Sequence, residues 1–314
     1  AAAVLAGVII VRLTFIQPVL IDAPVDYPLV NWILYGYGLP AFCFALAAWL
    51  FRERADDRLV ALLEAGTVVF ASLLVAFEIR SFFDEAQMHH DAFGLVEIST
   101  QTLAWLGITI GFFWINRSRN HVVLRWAWRL SGLWTLLLLA GALTVANPLD
   151  TFAPVGEWHV LNLIAFVYLL PALPLALFAW MLSRQDERVC ALIARITVLV
   201  LVFAWMSLEL RHAFHGTVIG HHLATSDAEW YAYSLLWLAF AALLFGTGIK
   251  LRNSGLRHAG LALLSLVVLK VFLSDMAALT GLYRALSFLG LGASLIGIGY
   301  LYQRFVFPPK KAKA

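Results

Sequence analysis

Ionisable residues at the ends of two apolar segments are the groups in this sequence that could carry chemistry. Glu209 and Arg211 lie near the end of one apolar segment, and Glu229 lies at the start of the next. A charged side chain at membrane depth costs about 3 kcal/mol on insertion scales, so it usually marks a functional site or a paired charge. These residues are therefore the first candidates for a functional site.

The same pattern occurs once earlier in the chain. Glu78 and Arg80 end an apolar segment and Glu97 opens the next, so each has a counterpart in the later pattern. Residues two apart on a helix point in different directions, so Glu and Arg of one Glu-x-Arg cannot pair with each other. One interpretation is that Arg80 pairs with Glu97 and Arg211 with Glu229, which would clamp each hairpin with a structural ion pair.

The other interpretation is a binding site. In it, Glu78 and Glu209 lack such partners, face a solvent-filled cavity on the outer side, and handle protons or a cationic group. The two interpretations use different charges, so we predict the two ion pairs and keep Glu78 and Glu209 as site candidates.

Two basic residues lie deeper within apolar segments. Arg12 and Lys270 each stand six residues before the turn that ends a predicted helix, so they occupy equivalent positions. Either the Lys270 stem snorkels to the outer interface, or its ammonium belongs to a site for a phosphate or carboxylate. We expect Lys270 to mark the functional centre, because Leu or Met would pack there without the cost of a charge.

The groups expected around Lys270 are acidic and basic residues near the same end. Asp275 follows on the same helix, and Arg284 opens the next one, where it can neutralise Asp275. Lys270 is then left to meet Glu209 or a ligand anion. We therefore count all four residues, together with Arg12 and Glu78, as candidates for ligand binding or proton handling.

The histidines suggest a metal site only weakly. His212 and His215 share a helix face, and His221, His222 and Asp227 follow in the loop, all ligand types that zinc accepts. The sequence has no HExxH motif, and the pattern does not recur in the earlier copy, so a structural role is the better interpretation. We predict no metal, no cofactor and no catalytic residues, since hydrolase and nucleotide-binding motifs are missing as well.

Composition sets the class of the protein. Of its 314 residues 62% are hydrophobic and 13% are charged, with a mean hydropathy of +0.85. These values and the long apolar runs predict an all-α, polytopic transmembrane bundle of about ten helices. The predicted spans are residues 1–20, 31–51, 59–79, 95–115, 122–146, 158–182, 189–210, 230–249, 256–275 and 283–305.

Basic residues predict the orientation. Seventeen of the 22 Lys and Arg lie at the ends of alternate helices, and most histidines lie at the opposite ends. The positive-inside rule then places both ends of this chain in the cytoplasm, with the spans in a bacterial inner membrane. The net charge of +3 is explained by insertion and needs no nucleic acid.

The chain also contains an internal repeat. Gln17–Val25 is similar to Asn147–Val155, and Tyr37–Phe42 is similar to Tyr168–Leu173 at nearly the same offset. Each unit holds an even number of helices, so successive units insert in the same direction as parallel four-helix repeats of about 130 residues. The predicted units are 1–121, 122–254 and a partial third unit with a basic cytoplasmic tail, 255–314.

Several stretches resemble one known family. They are Glu209–Gly216, Ser234–Trp237, Leu256–Leu264, Val268–Asp275, Gly281–Gly292 and Tyr300–Arg304. They resemble the C-terminal portion of a large bacterial family of multi-pass membrane proteins known only as a domain of unknown function. The resemblance implies further helices upstream and a many-helix topology, and it implies no activity.

Two classes of function follow. The first is an outward-facing transport, flipping or sensing site for a solute or an anionic, lipid-linked envelope precursor. The second is a structural membrane scaffold for other envelope proteins. An embedded enzyme acting on a lipid-linked substrate is a weaker third. The lipid bilayer is a partner in every case.

Overall fold

The computed structural model describes residues 31–52, 57–83, 94–119, 121–275 and 281–301, and the isolated positions Val8 and Gln303. All regular structure in these residues is helical. The helices are α1 Leu39–Phe51, α2 Asp57–Phe83, α3 Leu95–Arg119, α4 Val122–Leu143, α5 Pro148–Thr151, α6 Leu170–Ser183, α7 Arg188–His215, α8 Asp227–Lys250, α9 Ser254–Lys270 and α10 Gly281–Leu301.

Eight of the described helical segments are long and apolar enough to cross a membrane. The prediction of an all-α, polytopic bundle is confirmed. The last predicted span corresponds to α10, and the first, 1–20, lies outside the described residues apart from Val8.

Short π-helical turns interrupt several spans, and two of these turns precede a proline. Leu34–Gly38 leads into α1 and Ala165–Leu169 leads into α6, where Pro40 and Pro171 occupy the first turn. A proline has no N–H and its ring crowds the carbonyl four residues earlier. The wider π turn accommodates both effects. A further turn, Val271–Asp275, directly follows Lys270 at the end of α9.

The described residues form two compact units. Unit 1 runs to Met206 and includes Thr217–His221, and unit 2 combines Ser207–Gly216 with the residues from His222 onward. In unit 1 the buried positions in and just before α1 recur in and just before α6, at one constant offset. These pairs are Ile33 and Ile164, Tyr37 and Tyr168, Ala41 and Ala172, Phe44 and Leu175, and Ala48 and Ala179. The four-helix repeat with its three boundaries stays a prediction.

In unit 2, two glycines bring α8 and α9 into close contact. A Cβ at Gly260 would lie 2.6 Å from the Phe245 nitrogen, and one at Gly248 would lie 2.7 Å from the Arg257 nitrogen. Any side chain at either position would push the helices apart. Because the two helices pack this closely, α9 runs alongside α8, and Lys270 at its end lies near the start of α8.

Candidate functional site

The hairpin of α7 and α8 is built by local signals at both helix ends. Gly216 follows α7 with a φ of 75°, the left-handed conformation that commonly stops a helix. Ser226 caps α8 by accepting a hydrogen bond from the Glu229 N–H at 3.2 Å. A Ser followed three residues later by Glu is a capping-box sequence. These signals hold the ends of the two helices together.

Glu229 is the centre of a buried polar cluster. Its side chain is 0% exposed, and Arg211 Nη1 lies 3.0 Å from its Oε1. His215 Nε2 lies 2.8 Å from the other oxygen, Oε2. The Tyr233 hydroxyl donates to Oε1 at 3.4 Å. Both carboxylate oxygens are therefore bonded, as a buried carboxylate requires.

Arg211 is equally well bonded. Its guanidinium also donates to the Thr225 hydroxyl at 3.2 Å and to the Leu223 carbonyl at 2.9 Å. The side chain is 8% exposed. One ion pair thus joins α7, the loop before α8 and α8 itself.

The hairpin of α2 and α3 holds the corresponding pair. Arg80 Nη1 lies 3.0 Å from Glu97 Oε1, but the Arg80 side chain is 35% exposed and that of Glu97 is 10% exposed. The Gln101 amide adds a second link between the helices, donating to the Ala76 carbonyl at 2.6 Å. The pair is therefore less buried than the Arg211–Glu229 pair.

Glu78, two residues before Arg80, contacts a different residue. Its Oε2 accepts from the Asn31 amide at 3.2 Å, while its Oε1 is buried without a hydrogen bond from the described residues. Asn31 also accepts from the Ile33 and Leu34 N–H groups, so it fixes the start of the first described span.

Lys270 reaches across to α8. Its ammonium donates to the Trp230 carbonyl at 2.9 Å and to the Ser234 hydroxyl at 2.6 Å. It also lies 4.4 Å from the centre of the Trp230 ring, within range of a cation–π contact. Lys270 is half-buried, and its ammonium contacts the first two turns of α8.

This arrangement of apolar spans and polar hairpin ends agrees with a match to a family of membrane proteins. The model for predicted membrane proteins (DUF2339), a domain of unknown function, covers residues 1–305. The chain belongs to the DUF2339 family. Comparison with curated proteins and with solved structures gives no match.

The remaining residues that the sequence of this DUF2339 chain marks as candidates are located as follows. Glu209 is half-buried, with Oε1 3.5 Å from His212 Nδ1. His221 Nδ1 lies 2.9 Å from the Leu149 carbonyl and 3.3 Å from an Asp150 oxygen. A contact between Lys270 and Glu209 stays a prediction. Arg12 and the side chains of Asp275 and Arg284 lie outside the described residues.

Local sequence patterns in this DUF2339 chain do not predict two further contacts between titratable side chains. Glu64 Oε2 lies 3.1 Å from His121 Nδ1, and Arg129 Nη2 lies 2.8 Å from Glu187 Oε1. A signal for the first was present, because Glu64 is a charged residue inside a predicted span. In each pair one partner lies on a helix, Glu64 on α2 or Arg129 on α4, and the other lies directly before a later helix. The two are too far apart in the chain for a local pattern to join them.

Proposed function

We propose that this membrane protein binds an anionic group from the predicted outer side of a bacterial inner membrane. The group belongs to a solute or to a lipid-linked envelope precursor that the protein transports, flips or senses. The site is centred on Lys270. The observation that carries the proposal is the position of the Lys270 ammonium on the first turns of α8.

The contacts of Lys270 suit an anion site. A backbone carbonyl, a hydroxyl and an aromatic face orient the ammonium towards the first turns of α8. Trp230 is 41% exposed, so the ammonium is held beside a surface that a ligand can reach. The N-terminus of α8 adds the positive end of its helix dipole.

The irregular backbone after Lys270 supports the same location. Val271–Asp275 is π-helical. Such turns are rare and frequently occur at functional sites. A lysine within an apolar helix, followed by this turn, is costly for packing alone. A binding function explains both features.

Substitution of Lys270 tests the proposal. The full chain, reconstituted in vesicles containing a polyprenyl phosphate, should retain that lipid, and Lys270→Met should lower its affinity about ten-fold or more, the loss expected for one charge-assisted hydrogen bond. Lys250→Met is the matched control, because Lys250 is exposed at the other end of α8. Competition by inorganic phosphate distinguishes a free anion from a lipid-linked one.

A scaffold for envelope partners is the second candidate, and the Arg211–Glu229 pair favours it. That pair is buried and bonded on all sides, as expected for groups that fix helix positions. If Lys270→Met binds the lipid phosphate as well as the wild type does, the anion site is wrong and the scaffold replaces it.

A further inference from the structure

A second polar location lies in unit 1, at the predicted cytoplasmic ends of the helices. A cavity of about 690 Å³ is lined by Arg52, Glu64, Thr67 and His121 together with apolar residues that include Trp49 and Leu124. We call it the inner cavity. Its volume falls within the range of small-molecule binding sites, about 300–1,000 Å³. It shares no residue with the Lys270 site.

The inner cavity contains charges of both signs. The Glu64 side chain is 28% exposed, and its Oε2 lies 3.1 Å from Nδ1 of His121, whose side chain is 40% exposed. Arg52 is exposed at the end of α1. An anion bound by Arg52 would also face Glu64, and a cation bound by Glu64 would also face Arg52. A ligand carrying both charges satisfies both residues.

The depth of these charges suits a lipid headgroup. Glu64 lies seven residues into α2, which is about 10 Å along the helix. Arg52 follows directly after α1. Trp49 is 69% exposed, so an apolar surface continues from the charged residues along the span. A headgroup beside Arg52 and Glu64 would place its acyl chains against Trp49 and Leu124.

We propose that the inner cavity binds a zwitterionic phospholipid that carries a primary ammonium, as phosphatidylethanolamine does. Arg52 takes the phosphate, because a guanidinium matches phosphate oxygens in geometry and charge. Glu64 accepts hydrogen bonds from the ammonium, and His121 Nδ1 lies 3.1 Å from the Glu64 carboxylate. At the offset that relates α1 to α6, Ser183 corresponds to Arg52 and Arg195 to Glu64, so the corresponding positions do not carry the same pair of charges.

Lipid retention tests the proposal. The full chain is reconstituted in nanodiscs containing equal amounts of phosphatidylethanolamine, phosphatidylcholine and phosphatidylglycerol, then washed with detergent, and the retained lipids are measured by mass spectrometry. We expect about ten-fold preference for phosphatidylethanolamine over phosphatidylcholine, because a trimethylated ammonium cannot donate to Glu64. Equal retention of these two lipids, or preferred retention of phosphatidylglycerol, would overturn the proposal.

Substitutions of Glu64 and Arg52 test the proposed contacts with the ammonium and with the phosphate separately. Glu64→Gln should abolish the preference between the two zwitterionic lipids, Glu64→Asp should keep it, and Arg52→Gln should lower retention of all three phospholipids. Arg184→Gln is the matched control, since Arg184 is an exposed arginine that lies 4.1 Å from the Trp180 ring and outside the cavity. An unchanged preference in a folded Glu64→Gln protein contradicts the assignment. If Glu64→Gln does not fold, the proposal is tested by the lipid preference of the wild-type protein and by the retention of the three phospholipids by Arg52→Gln.

Discussion

The hairpins α2–α3 and α7–α8 use the same ion pair in different surroundings. In both, an Arg near the end of one helix meets a Glu in the first turn of the next at 3.0 Å. Glu229 is 0% exposed and Arg211 is 8% exposed, whereas the corresponding values for Glu97 and Arg80 are 10% and 35%. The two hairpins share the Arg–Glu pairing but differ in how deeply the pair is buried.

The neighbours of each pair explain the difference. Ser226 caps α8 through its hydroxyl, whereas Gly94, which precedes α3, has no side chain to do so. Tyr233 bonds the second pair, while Gln101 at the corresponding position bonds a backbone carbonyl. A few polar residues around the Arg–Glu pair thus distinguish the buried network of the α7–α8 hairpin from the partly exposed pair of the α2–α3 hairpin.

Neutralising the glutamate of the ion pair should change the free energy of unfolding more than any other substitution proposed here. The change should be larger in the α7–α8 hairpin than in the α2–α3 hairpin. Glu229→Gln leaves the Arg211 charge buried and should lower the free energy of unfolding by about 3–5 kcal/mol. Glu97→Gln, the matched control, should cost about 1 kcal/mol or less, because Arg80 remains partly solvated. Denaturant unfolding in detergent, followed by tryptophan fluorescence, measures both. Equal losses would show that burial does not separate the hairpins.

Removing both charges should cost less than removing one. Arg211→Met combined with Glu229→Leu should recover about 2 kcal/mol or more relative to Glu229→Gln, because a buried charge without its partner is worse than an apolar pair. The same unfolding measurement applies. A double variant less stable than either single variant would mean that the Thr225 and Leu223 contacts, not the ion pair, dominate.

Much of the fold could be predicted from local patterns. Apolar runs of membrane-spanning length gave the helices, because the bilayer sets their length. The Glu-x-Arg and following Glu indicated the hairpin pairs, since the loops between them are short and the helices are sequential neighbours. The predicted partners lie 3.0 Å apart in both hairpins.

The remaining contacts depend on tertiary structure. Lys270 bonds the carbonyl of Trp230, and a backbone carbonyl leaves no signature in the sequence. Glu64 on α2 and His121, which directly precedes α4, are far apart in the chain and meet only when the helices pack. The π turns before Pro40 and Pro171 likewise arise from how a helix adapts to a proline and were not predicted.

The smallest expected difference concerns a tryptophan that both hairpins contain. Trp237 donates its indole N–H to the Ser207 hydroxyl at 3.0 Å. In the first hairpin Trp105 takes the place of Trp237, and Ala76, which has no hydroxyl, takes the place of Ser207. Losing one such part-buried hydrogen bond costs about 1 kcal/mol, so Trp237→Phe should destabilise the protein by about 1 kcal/mol more than Trp105→Phe does.

Ser207→Ala identifies the hydrogen bond as the cause. It should reproduce the extra loss, and the Trp237→Phe and Ser207→Ala effects should not add, because both remove the same bond. Additive losses would instead assign the effect to packing of the indole ring. The second hairpin would then differ from the first through the Glu229 cluster alone, and the hydroxyl of Ser207 would contribute nothing to holding α7 against α8.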